Sequence, residues 1–179
     1  MKKQLFRTRL LVKAVLLCTS LSPAFAQPST LRRELLKDWM DMKDTMLKLA
    51  NEMPEDKYSF KTTPPQRDFA QQVLHVANGN VINLNFLRRK ATPPTIERRA
   101  TSKAAVMKAM ADSFDYGTEL IKEHTDQSLL ETVQTNAFLG PSTRARVIYF
   151  LLGHSWDIYG QMVVYLRLNG GVPPASQRP

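Results

Sequence analysis

Apolar residues return at intervals of 4, 3, 4, 3 and 4 through Leu35, Trp39, Met42, Met46, Leu49 and Met53. That spacing puts all six on one face of a helix over about residues 30–53. Ser29 or Thr30 can cap its start, and Pro54 stops it. A second helix is predicted over about 68–88, with Phe69, Val73, Val76, Asn80, Leu84 and Leu87 on one stripe. His75, Gly79, Ile82 and Phe86 form the stripe beside it. The third helix, about 102–123, turns Val106, Met110, Phe114, Gly117 and Ile121 inward. The fourth begins at a Ser142/Thr143 cap and ends at Gly170-Gly171, a left-handed stop signal. Along it Val147, Leu151, His154, Ile158, Gln161, Tyr165 and Leu168 repeat about every 3.5 residues.

The stretches between are rich in proline or polar residues and are predicted to be connections. In the first, 54–67, Tyr58 and Phe60 alternate with polar residues and are expected to pack in extended form across the helices. The others are 91–100, the segment around Gly140-Pro141, and a tail at 172–179. No run alternates with period two long enough to predict a strand, and there are no repeats and no glycine-rich phosphate loop. Four amphipathic helices of about 20 residues bury their stripes most simply as an all-α four-helix bundle. The long connections permit either an up-down-up-down or a crossover order.

Composition changes the picture mainly at the N-terminus. Of the formal net charge of +9 on 179 residues, five positive charges fall within residues 1–26, which hold no acid. A basic start, the short apolar run AVLLCTSL (14–21), Pro23 and Ala24-Phe25-Ala26 make the pattern of a secretory signal. The run is too short to span a bilayer, which takes about 20 residues. The expected organisation is therefore a signal peptide at 1–26, a bundle at 27–171 and a tail at 172–179, in a periplasmic or secreted protein without a membrane span after cleavage. The remaining net charge of +4 is mild. Arg88-Arg89-Lys90 and Glu97-Arg98-Arg99 lack interleaved aromatics and read as a solvated face, so no nucleic-acid partner is expected. Cys18, the only cysteine, lies within the signal segment. The mature chain then has no thiolate ligand, cysteine nucleophile or disulfide.

Candidate chemistry falls to the histidines. His124 follows the third helix, where the helix dipole favours a cation. His75 and His154 lie in mid-helix and can meet across the core as ligands from facing helices; the alternative is that each is a neutral core histidine hydrogen-bonded to a neighbouring helix. Asp157 stands three residues after His154, a spacing that can bring both to one side of a helix. Asp41 with Asp44, and Asp112 with Asp115, are further carboxylate pairs on single faces; their spacing suits a solvated face equally well.

Three segments resemble the DinB-like (DinB/YfiT) superfamily of four-helix bundles: MPEDKYSFKTTPPQRDF (53–69), LHVANGN (74–80) and GHSWDIYGQMVVYLRLNGGVPPAS (153–176). The resemblance implies a zinc or nickel site of three histidines, one from the second helix and two from an H-x-x-x-H stretch of the last. His75 matches the first position and His154 the second, while the third is held by Ile158, which has no lone pair to give. Some relatives are metal-dependent thiol transferases. The resemblance then leaves two expectations. One is an exported binding or structural protein with an incomplete metal site. The alternative is a metal-dependent hydrolase or transferase using His75, His154 and a substitute ligand such as Asp157. A small-molecule ligand and a homodimer are both compatible with such a bundle.

Overall fold

The computed structural model describes residues 30–88 and 90–177. Helix α1 spans Leu31–Glu52, and the Thr30 hydroxyl accepts from the Arg33 amide at its start. Its stripe is buried from Leu35 to Met53 as the spacing predicts. Helix α2, Phe69–Leu84, opens on a reciprocal cap between Asp68 and Gln71. It is shorter than the pattern predicts, because its last turn tightens into a 3-10 turn at Asn85–Leu87 and Arg88 then takes φ +52°. Helix α3 covers Lys103–Lys122 under a Ser102 cap. Two elements too short for periodicity to register come next. They are a one-turn helix α4, Asp126–Leu130, and a two-residue antiparallel ladder of β1 (Thr132–Val133) and β2 (Ser142–Thr143). Helix α5, Arg144–Leu168, ends where the Gly171 amide donates to the Leu166 carbonyl and Gly170 sits at φ +77°.

The hydrogen bonds between helices fix their order. Helix α1 packs against α3 and α5, and α2 packs against the same two, so α1 and α2 lie on one diagonal. Lys103, at the start of α3, donates to the carbonyls of Asn51 and Met53, which makes α1 and α3 antiparallel. Asn80 with Ser113 and Asn85 with Tyr116 run in the same sense, so α2 and α3 are parallel. Tyr165 with Arg67, Gln72 with Gln161 and His75 with His154 run in opposite senses, so α2 and α5 are antiparallel. The order is up-down-down-up, the crossover alternative. It obliges the 88–102 connection to return along the outside of the bundle. Among the described residues no helix is long and apolar enough to cross a membrane.

Several expectations shift. The first connection is not extended: Glu55–Lys57 form a 3-10 turn that drops Tyr58 into the core, where its hydroxyl donates to the Ala50 carbonyl at 2.8 Å and its ring meets Phe69 edge-on. Leu168, counted on the α5 stripe, is exposed. A 3.5-residue repeat drifts by about 20° per heptad on a straight helix, which after three heptads carries its last member out of the core. Ile82 is exposed too, on the outer edge of its stripe. The segment after α5 does not simply trail off; Pro173 is buried and Pro174–Ser176 form a turn beside α1.

Candidate functional site

Helices α2 and α5 bring His75 and His154 together midway along their antiparallel seam. The two Nε2 atoms are 3.1 Å apart, with ring centroids at 4.9 Å and planes at 72°. One Nε2–H donates and the other nitrogen accepts, so at least one ring must be neutral. The Phe150 ring lies nearly parallel to that of His154, with centroids at 6.4 Å and planes at 18°. Gly79 lies against the same ring. The Nδ1 of His154 is buried and has no hydrogen-bond partner among the described residues. Metal-binding histidines almost always give that second nitrogen to a carboxylate, carbonyl or water, which fixes the tautomer. Among the described residues no side chain or carbonyl fills that role for His154.

Burial lowers the pKa of both rings. For His75 the Arg67 guanidinium and the neighbouring His154 lower it further, while Asp157 opposes the shift. For His154 Asp157 is the larger of the two charge effects and Arg67 acts against it. A histidine whose folded pKa is depressed stabilises the fold in its neutral form, and that contribution is lost as pH falls through the ordinary histidine range near about 6.5, where the unfolded chain takes up protons first. Urea midpoints at pH 7.5 and 5.5 are therefore expected to drop more for the wild type than for a His75→Gln/His154→Gln protein. An equal drop in both would remove the pair from the acid response.

The donor set can be tested against the three-histidine site that the resemblance implies. Two nitrogens bound to one tetrahedral zinc lie about 3.3 Å apart, close to the 3.1 Å seen between the histidines. The third donor is missing. Ile158 is 3% exposed and belongs to the core. Asp157 lies on the exposed side of α5, where its Oδ2 accepts from the Gln161 amide at 3.2 Å. Gln161 in turn accepts from Gln72 at 2.9 Å. Among the described residues no three His, Cys, Asp or Glu side chains gather where they could hold a metal ion. The residues present fit two ligands of a metal site and not the full set.

The remaining candidates part from this pair. His124 does follow α3 but is fully buried, with Nδ1 3.0 Å from the Ser128 hydroxyl of α4. Helix α4 folds back over it, and the Thr125–Ser128 cap was the signal for that turn. Asp41 pairs with Lys37, Asp112 with Lys108 and Asp115 with Lys43, the solvated faces that their spacing allowed. The glutamine pair Gln72–Gln161 was missed, although Gln72 precedes His75 by three residues and so shares its face. So was a cavity of about 360 Å³ beside His75, lined by Arg67, Gln71, Leu74, Asn78 and Arg98. Arg67 and Arg98 come to it from two different connections.

Two solved structures share this architecture. A DinB-like protein from Bacillus cereus superposes with a TM-score of 0.70 at 19% identity, over 78% of this chain and 93% of that one. A DinB-like protein from Bacillus subtilis gives a TM-score of 0.62 at 15% identity, over 81% and 99%. At such identities the likeness establishes the fold. A search of curated proteins finds no match. The family model of the DinB superfamily matches residues 39–162, which takes in the seam, both histidines and Ile158. With most of the chain matched, this protein belongs to the DinB superfamily.

Proposed function

We propose that this is an exported DinB-like protein whose histidine pair is the remnant of a three-histidine metal centre, and that it acts by binding a small molecule rather than by metal catalysis. One observation carries the reading: the position of the third ligand is filled by Ile158, an apolar side chain packed in the core at 3% exposure. Calorimetric titration of the metal-stripped protein with zinc and nickel tests it. Weak or absent binding is expected, and tight one-to-one binding would overturn it.

The alternative is a metal-dependent hydrolase or transferase in which Asp157 substitutes for the lost histidine. It is favoured by the effect of the Asp157 carboxylate on both rings. Tight zinc binding abolished by Asp157→Ala would select it.

Export rests on the sequence of residues 1–26, which lies outside the described residues. Mass spectrometry of the periplasmic or secreted fraction is expected to find Gln27 at the N-terminus, and a soluble pool retaining Met1 would contradict it. No nucleic-acid partner is proposed, and a homodimer remains compatible with the bundle.

A further inference from the structure

We propose that the cavity beside His75 captures a small organic anion, a carboxylate or a phosphate ester, between Arg67 and Arg98. The cavity is built by three parts of the chain. The end of the first connection supplies Arg67, α2 supplies Gln71, Leu74, His75 and Asn78, and the crossover connection supplies Arg98. The up-down-down-up order is what carries Arg98 there, since the 88–102 segment has to travel back along the bundle to reach α3.

The lining is rich in donors and contains no carboxylate. Arg144 and Arg146 commit their guanidiniums to main-chain carbonyls and other side chains. The Arg67 and Arg98 guanidiniums make no ion pair or hydrogen bond among the described residues. The backbone of Arg67 is nevertheless held, because its carbonyl accepts from the Tyr165 hydroxyl at 2.6 Å. Gln71 accepts from the Asp68 amide through Oε1, which leaves its NH2 group as a donor. Asn78 adds a second amide. A planar guanidinium offers paired N–H groups that match a carboxylate or phosphate, and such charge-assisted bonds are stronger than neutral ones.

The charge balance points the same way. The lining carries the two positive charges of Arg67 and Arg98 and no negative one. Asp157, the carboxylate that acts on both rings, is engaged by Gln161 and does not line the cavity. Leu74 supplies an apolar wall, so the anion should carry an organic body rather than be a bare ion. The volume of about 360 Å³ lies at the small end of the range for small-molecule sites, about 300–1,000 Å³. Two arginines without a stacking aromatic in the lining do not make a nucleic-acid groove.

This assignment rests on the histidine pair marking the binding centre of the domain, but anion capture itself requires no metal. The test uses the mature chain, freed of metal on a chelating resin and kept at low ionic strength. Phenyl phosphate and benzoate are the probes and benzyl alcohol the neutral control. Calorimetry and the Hε1 proton resonance of His75 are the readouts. At least one anion is expected to bind saturably at one site and move the His75 resonance, and whichever binds tighter names the headgroup. Arg67→Gln and Arg98→Gln are each expected to weaken it by at least about fivefold, a modest loss because both side chains are exposed to solvent. Arg99→Gln, outside the lining, should leave binding unchanged. The proposal is overturned if neither anion saturates below about 10 mM, a very weak affinity, if benzyl alcohol binds as well, or if the Arg67→Gln/Arg98→Gln protein binds like the wild type. Zinc titration of the same samples reports separately on the metal reading, so failure of one does not mimic failure of the other.

Discussion

Trp39→Ala is expected to destabilise the protein by about 3–5 kcal/mol, the range for removing a large buried aromatic. Trp39 has no exposed surface. Its indole N–H donates to the Phe114 carbonyl at 2.8 Å, and its ring tilts against Phe114 at 4.9 Å. The opposite helix is shaped to receive it: a Cβ added at Gly117 would stand 2.4 Å from the indole Cζ2. Alanine at position 39 would therefore leave a cavity bounded by a helix that cannot close in without moving, together with a carbonyl that loses its indole donor. Gly117→Ala probes the same fit from the other side. Alanine is worth about 1 kcal/mol over glycine in a helix interior, yet overpacking of about 1–3 kcal/mol should outweigh it. Gly79→Ala is the control, because its added Cβ would lie 3.5 Å from the nearest His154 atom, an ordinary contact. That change should be neutral or stabilising. Urea unfolding measures all three, and a loss below about 1 kcal/mol for Trp39→Ala would mean that the indole does not anchor α1 to α3.

The Trp39 stripe was legible because burial on a long helix repeats with the helix turn, and the repeat survives six positions in a row. Two caps were legible for the same local reason: Thr30 and Thr143 each satisfy an amide three residues on. What depended on contacts between distant segments was not legible. The hydrophobic stripes say that each helix has a buried face, but not which helix lies diagonally opposite, so the crossover order stayed open. Arg98 illustrates the consequence. Read along the chain, it sits in a run of charge with Glu97 and Arg99, and only the path of the connection over α2 places it beside His75. His124 failed differently. Its position after α3 gives no sign of burial, and one turn of helix held by Thr125 and Ser128 buries it. The meeting of His75 and His154 was open to sequence as one of two alternatives. Their separation of 3.1 Å and the buried Nδ1 without a partner were not, because both depend on the packing of α2 against α5.

Ile158→His is expected to raise the affinity for zinc or nickel by at least about tenfold over the wild type, equivalent to roughly 1.4 kcal/mol. The substitution places an imidazole one helical turn beyond His154, and residues four apart on a helix are neighbours on its surface. His75 and His154 already hold their Nε2 atoms 3.1 Å apart, near the separation of about 3.3 Å for two nitrogens on one tetrahedral zinc. Little reorganisation is then needed for three nitrogens to converge and leave one position open. Without metal the change should cost stability, about 1–3 kcal/mol, because a polar ring enters a site where Ile158 packs at 3% exposure. The two effects have opposite signs, so thermal unfolding with and without zinc separates them: the variant should melt below the wild type when stripped and recover part of that loss when zinc is added. His154→Gln in the variant background should abolish the gain, since two imidazoles then remain without the middle ligand. Were the wild type to bind zinc as tightly as the variant, and lose that binding on Asp157→Ala, the third ligand would have been replaced rather than lost. The protein would then stand with the metal-dependent members of the superfamily.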